Sequence, residues 1–380
     1  MIQTQILVIG GGIAGLWLLH VLRAAGYAVL LLEQTSCGAG QTVAAQGMLH
    51  DGRKYRLTQP PAAFAESLQR WTAALDGAGP VPLDRSVITS PSQQFWLAHG
   101  LASLVRQTLG AFDDALPRAR WPEFLDRSGF RGSVRASDFP VLDTRAVLTK
   151  LVQVAGDRAR VATGDWRFER KDAATLDTLT LPGGHRVSAR CFVFAAGGGN
   201  AILAADLGLA LPTQRRPLRQ VLGRGAPASL FGHYFGRTLD AAPRPSFTIT
   251  THRADNGELV WYLGGQVAEP EAGGDRGVEL AQRHLAALLP RADLSALRWS
   301  TFAVDRAESK RSNGAVPDEP VIERRGNALF AWPQKLTLAP LLAERMLAVV
   351  RECVGQPEDV PLAPEWVALT APTVAVAPWQ

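Results

Sequence analysis

The segment Gly10-Gly11-Gly12-Ile13-Ala14-Gly15 constrains this chain more than any other. It ends the apolar run QILVIG and opens onto LWLLHVLRAAG, whose apolar residues recur at helical spacing and stop at Gly26, a natural helix end. A second apolar run, AVLLLE, closes on Glu33. Strand, turn, helix and strand in about thirty residues make the opening βαβ of a nucleotide-binding sheet. Each glycine of the motif has a physical task. Gly10 permits the tight turn, Gly12 lets the backbone approach a pyrophosphate, and Gly15 lets helix and strand pack closely. The N–H groups and dipole at the helix start favour phosphate there. Glu33 stands where a carboxylate accepts hydrogen bonds from a ribose 2′-OH and repels a 2′-phosphate. The motif leaves open which dinucleotide binds.

Composition narrows the class. With 380 residues, 47% hydrophobic and 20% charged, the chain is neither disordered nor fibrous and can bury a large core. The net charge is +5, yet the basic residues are scattered among acids rather than gathered in runs. That argues against a nucleic-acid partner and for a surface that draws in a small anionic substrate. Cys37, Cys191 and Cys353 are too few for a disulfide framework and match no metal spacing, so a reducing, cytoplasmic setting and no metal are expected. The first apolar stretch is broken by glycines, His20 and Arg23, and reads as neither a membrane span nor a signal peptide. The apolar tail VALTAPTVAVAPWQ, punctuated by Pro372 and Pro378, is expected to pack on the body, with peripheral membrane contact as the alternative.

Further along, helices are expected over 63–76, across TRAVLTKLVQVAG, over 276–289 and from Pro340 to Val354. RVATGDWRFER, TLDTLTLPGGHRVSA and CFVFAAGGG read as strands, with a hairpin turn at Pro182-Gly183-Gly184. FTITTHR and ELVWYLGGQVA read as strands joined by Asp255-Asn256-Gly257, and another strand is expected near Ala328–Ala331. In WYLGGQVA, strand alternation turns Tyr262 away from Trp261 and Leu263, so one set is core.

After Glu33 comes a loop of small residues, Cys37 to Gln46, and then Gly47-Met48-Leu49-His50-Asp51-Gly52-Arg53-Lys54-Tyr55. This G-x-L-H-x-G-x-K-Y run resembles the flavin-contacting segment of the D-amino-acid-oxidase-like superfamily. Its H-x-G element is closest to glycerol-3-phosphate dehydrogenases and L-2-hydroxyglutarate oxidases. VSARCFVFAAGGG (Val187–Gly199) is similar to the family's later strand ending in A-x-G, which returns to the FAD pyrophosphate. RSNGAVPDEPVI (Arg311–Ile322) is similar to its R-x-x-x-P-D-x-x-P-x-I loop. The resemblance runs end to end and implies FAD. It implies an α/β fold: an FAD-binding Rossmann-like domain from 1–77, 141–212 and 305–356, and a discontinuous second domain on a mixed, largely antiparallel sheet from 78–140 and 213–304. Residues 357–380 form a C-terminal tail.

The cofactor contacts this implies are Gly10, Gly12, Ile13, Ala14 and Gly15, with Glu33 and Gln34 at the adenosine. Thr42, Ala44, Ala45, Gln46 and Gly47 follow at the ring, and Trp166, Ala196, Gly197, Gly198, Leu336 and Thr337 complete the set. One departure stands out. Where the family has a Gly-rich turn beside the ring, this chain reads Trp332-Pro333-Gln334-Lys335.

In the resembled enzymes a flavin takes a hydride from a carbon bearing OH or NH while a base takes the heteroatom proton. His50 is the candidate base, since imidazole titrates near working pH. Arg311 is the candidate anion anchor, and Lys335 a candidate cation for the anionic reduced flavin. Lys54, Tyr55, Tyr234 and Tyr262 are candidate substrate contacts, and His233 beside Tyr234 a weaker one. The leading expectation is oxidation of a CH–OH carbon in a small 2-hydroxy-acid-type anion. Oxidation of a CH–NH bond in an amino acid or secondary amine is the alternative, and a non-catalytic flavin subunit of a larger complex a third. The electron acceptor, whether oxygen, quinone or partner protein, has no signature.

Overall fold

The computed structural model describes residues 1–52, 61–100, 114–236, 245–269, 274–310 and 317–380. Two sheets organise it. In the first, Val321–Arg325, Ala328–Trp332, Arg186–Phe194, Ile2–Ile9, Val29–Glu33 and Ala159–Val161 lie side by side in that order. All neighbours pair in parallel except the edge strand Val321–Arg325, which runs antiparallel. Alternate residues of the central strands enter different cores. Ile6, Val8, Val29 and Leu31 meet the helices Ile13–Ala24, Thr144–Ala155 and Ala339–Val354, while Leu7, Ile9, Leu30 and Leu32 pack on the opposite face. A parallel strand covered on both faces must be apolar throughout, which is why QILVIG and AVLLLE carry so few polar residues.

Parallel direction has a second consequence. The carboxyl ends of five strands, at Ile9, Glu33, Val161, Phe194 and Trp332, all fall on one edge of this sheet. The loops that follow them therefore gather in one place, as ligand sites in open α/β sheets do.

RVATGDWRFER, expected as one strand, is two: Ala159–Val161 in the main sheet and Arg167–Arg170 in a side hairpin with Leu176–Thr180. Gly164 turns the chain between them with φ +118°, a conformation that L side chains resist.

The second sheet runs Arg298–Ser309, Thr213–Arg224, Leu259–Gly264, Phe247–Arg253, Gly232–Phe235, Gln93–Ala98 and Gly132–Ser137. It is antiparallel save for the parallel pair Gly232–Phe235 and Gln93–Ala98. One face buries Val221, Ile249, Trp261 and Leu263 against the helix Gly274–Leu288. The other turns Leu222 and Tyr262 toward the first sheet's helical core. Strand Arg298–Ser309 passes through the expected boundary at 304/305 and stays whole in this sheet, because its pairing with Thr213–Arg224 is continuous over twelve residues.

The tail packs on the body. Cys37 N–H donates to Thr373 O (2.8 Å) and Ala375 N–H to Cys37 O (3.0 Å), so residues 373–375 ride on the loop after Glu33. Trp379 then crosses to the second sheet and stacks on His252, 3.7 Å between ring centroids. Among the described residues no helix is long and apolar enough to cross a membrane.

Candidate active site

A cleft of about 1610 Å³ opens where the gathered loops of the first sheet face the second. Its floor is the glycine turn. Gly10 has φ +110°, and a Cβ there would lie 2.7 Å from Ala195 O. Gly15 does not line the cleft; a Cβ on it would come within 1.9 Å of Gly10 O, so its task is to bring helix onto strand. Gly12 caps the helix with no side-chain acceptor. Gly11 N–H donates to Glu33 Oε2 (2.7 Å) and Ile13 N–H to Thr42 Oγ1 (3.1 Å), which ties the turn to the loop that follows. The other Glu33 oxygen accepts from Gln34 N–H (2.8 Å) and Thr35 N–H (3.1 Å), so backbone donors hold the carboxylate at the cleft wall. The Cys37 thiol beneath is pushed up to about 12 by burial and by the Glu33 charge, and is inert at neutral pH.

Gln34 and Trp166 line the same end. Gln34 Nε2 donates to Gly164 O (3.2 Å), and Trp166 Nε1 to Ala162 O (2.9 Å). Ala196, Gly197 and Gly198 form the next wall. Asn200, unremarked in the sequence, accepts from Ala196 N–H (2.9 Å) and donates to Ala331 O (3.0 Å), binding two of the gathered loops together.

At the far end the segment 42–50 folds back on itself. Ala45 N–H donates to Thr42 O (3.1 Å), and Gly47 takes φ +72° with Leu142 O where a side chain would stand. Tyr262, fully buried, donates its hydroxyl to Ala44 O at 2.5 Å. Burial raises the Tyr262 pKa, so it remains the donor and braces the loop. Gln46 reaches across to the second sheet, donating to Tyr262 O (2.8 Å) and accepting from Thr248 Oγ1 (2.6 Å). His50 lines the cleft, nearly buried, and its Nδ1 accepts from Gly52 N–H (3.2 Å). Its ring and the Lys335 ammonium both pack on Phe64, at 5.3 and 5.7 Å from that ring's centroid.

The Trp332–Lys335 departure resolves in the backbone. Gln334 has φ +64°, the left-handed conformation that glycine usually supplies, and among the described residues it is the one non-glycine with positive φ. Thr337 follows, its carbonyl accepting from Ser67 Oγ (2.6 Å) and Trp71 Nε1 (3.0 Å).

Tyr234 and His233, expected near substrate, lie elsewhere. Tyr234 packs on Phe247 in the second sheet's own core, and His233 is buried against Gln93 Oε1 (2.9 Å) and Phe95. Strand alternation turns the neighbouring pair of positions either way, and the sequence cannot say which face meets a cleft. Lys54, Tyr55 and Arg311 lie outside the described residues. Gln220, Thr248, Phe302 and Gly264 line the cleft without any sequence signal, being ordinary strand residues.

The cleft fits a large polar cofactor. Both amide atoms of Gln334 and Thr337 Oγ1 are buried with no hydrogen-bond partner among the described residues, and both residues line it. Orphaned donors and acceptors at such depth require a ligand or water to satisfy them. Among the described residues no cluster of His, Cys, Asp or Glu is placed to hold a metal.

Known proteins agree. The family model described as FAD dependent oxidoreductase (DAO) matches residues 5–348. The probable FAD-dependent oxidoreductase PA4991 of Pseudomonas aeruginosa is 36% identical over 393 residues, covering 100% of this chain and 98% of its own. Its crystal structure superposes with a TM-score of 0.83 at 34% identity, again over 100% and 98%. Glycine oxidase from Geobacillus kaustophilus shares the fold at 17% identity (TM-score 0.64, covering 97% and 99%). So does the glycerol-3-phosphate dehydrogenase of Bacillus halodurans, a structure complexed with FAD, at 14% identity (TM-score 0.56, covering 97% and 68%). The glycine turn, the gathered loops and a match over nearly the whole length together make this chain a member of the FAD dependent oxidoreductase family.

Proposed function

We propose that this FAD-dependent oxidoreductase oxidises a CH–NH bond in a small anionic amine, an amino acid or secondary amine. FAD, when bound, supplies a two-electron acceptor able to take a hydride from a carbon bearing a heteroatom. In this reading Glu33, Gln34 and Trp166 hold the adenosine, and Gly12, Ile13 and Ala14 with Ala196, Gly197 and Gly198 hold the pyrophosphate. The ring lies by Ala44–Gly47, Leu336 and Thr337, with Lys335 as a cation for its reduced form. Arg311 anchors the substrate anion.

One observation carries the choice of bond. Gly52 N–H occupies His50 Nδ1, so the neutral ring keeps its proton on Nε2. The lone pair that a base needs is thus already engaged. Oxidising an alcohol requires a base, because a hydroxyl proton is too weakly acidic to leave unaided. A neutral amine needs none: its nitrogen lone pair is available once the ammonium has lost a proton to water. Oxidation of CH–OH with His50 as base is the second reading, and it requires the bond from Gly52 to break.

The test is anaerobic titration of the purified yellow protein with amino acids, secondary amines and 2-hydroxy acids. Bleaching by amines, retained within about tenfold in His50→Gln, is the expected result. Bleaching by hydroxy acids alone, lost by a factor of about 100 or more in His50→Gln, restores the second reading. Bleaching by neither class leaves a flavin subunit without turnover of its own.

A further inference from the structure

We infer that Gln220, Gln46 and Thr248 form an acceptor cradle for the substrate nitrogen, an inference that rests on the amine reading above. Its floor is Gly264, which lines the cleft at the end of its strand. Gly264 has φ −132°, ordinary extended backbone that any residue adopts, so conformation does not ask for glycine here. Space does. A Cβ at 264 would meet Gln46 Oε1 at 2.9 Å, Gln220 Oε1 at 3.0 Å and Thr248 Oγ1 at 3.1 Å. Three oxygens from three different elements therefore converge on one bare backbone position.

The orientation of these groups follows from their partners. Gln46 Nε2 donates to Tyr262 O, which turns Oε1 toward Thr248, whose hydroxyl donates to it. Thr248 Oγ1 keeps its lone pairs for another donor, and Gln46 Oε1 keeps one. Gln220 is only 7% exposed, and its Oε1 is buried with no hydrogen-bond partner among the described residues. An acceptor left unsatisfied at that depth destabilises the protein unless something donates to it. These oxygens thus accept hydrogen bonds from a primary amine, whose nitrogen carries two N–H groups; a hydroxyl or a secondary amine, with a single hydrogen, satisfies them poorly.

The same arrangement favours the reaction. When the hydrogen of the C–H bond leaves with its electron pair, as hydride, to the two-electron acceptor, the nitrogen lone pair becomes the second bond of C=N. No proton leaves nitrogen in that step, and positive charge settles on it. Its N–H groups become stronger donors as that charge grows, so neutral oxygens aimed at them bind the transition state more tightly than the amine. Gln220 adds this with an oxygen that no group among the described residues has claimed.

The experiment uses the FAD-loaded protein and the amine that bleaches it. Gln220→Met keeps the bulk and removes the acceptor, and Gln220→Glu restores one. The expected result is flavin content and spectrum as in wild type, with amine-driven reduction slowed about 100-fold in Gln220→Met and recovered in Gln220→Glu. A second readout needs no turnover: calorimetric binding of the α-methyl counterparts of amine and hydroxy acid, neither of which has a C–H to lose. Wild type should prefer the amine, and Gln220→Met should lose that preference. Unchanged rate and preference in Gln220→Met, with amines still bleaching, overturn the cradle alone. Bleaching of wild type by hydroxy acids only overturns the cradle together with the reading beneath it.

Discussion

Gln334 illustrates how much a single residue's conformation decides. A side chain in the left-handed region pays about 1–2 kcal/mol in crowding between Cβ and the following carbonyl. Here the amide it carries is also buried without partners among the described residues. Both costs are unexplained unless that amide meets a ligand. Gln334→Gly should therefore stabilise the flavin-free protein by about 1 kcal/mol and at the same time weaken FAD binding, measured by thermal melts and by fluorescence titration of FAD. Higher melting temperature with unchanged FAD affinity would show that the amide faces no cofactor. The sequence flagged Trp332–Lys335 as a break in the family pattern, since four larger residues stand where small ones are usual. It could not reveal that Gln334 adopts a backbone angle that glycine usually supplies, because φ is decided by what packs on either side of the turn.

At the scale of elements, the clearest case is the tail on its bed. His252, in strand Phe247–Arg253, lies between the second sheet and Trp379, with Thr250 Oγ1 2.9 Å from its Nε2. Burial pushes its pKa down to about 3, so it is neutral in the folded protein. The unfolded chain takes up a proton below about 6.5. Stability contributed here is thus complete above that value and declines as pH falls toward 3, where the folded state also protonates. His20, lowered chiefly by burial, pulls the same way. His252→Phe should keep the stack with Trp379 and flatten the fall in melting temperature between pH 6.5 and 4. An identical acid profile would mean the proton uptake lies elsewhere. The helices were legible: 62–75 and 339–354 fall within a residue of the expectation, because helical period and a flanking Pro or Gly mark them locally. The seat of the tail was not, since apolar composition says that it packs but not on what.

Across the whole molecule, the cleft belongs to both sheets at once. Gln46 and Tyr262 are 216 residues apart, yet they close one hydrogen bond between the segment 42–50 and the second sheet. A ligand in that cleft touches both halves, so FAD should stabilise the protein as a unit. At free FAD one hundred times its Kd the gain is about 2.7 kcal/mol, and removing FAD should lower a single cooperative melting transition. Two transitions, with only one responding to FAD, would mean that the halves unfold separately. What the sequence by itself determined is whatever short-range chemistry encodes: the glycine turn, the acid at the end of the second strand, the doubly buried strands and the family they spell. Those depend on residues within about thirty positions, where steric limits and periodicity leave few alternatives. The convergence of Gln220, Thr248 and Gln46 on Gly264 and the burial of Tyr234 were decided only by tertiary structure. Each depends on which face of a strand meets which loop, and a face is assigned only when distant segments pack.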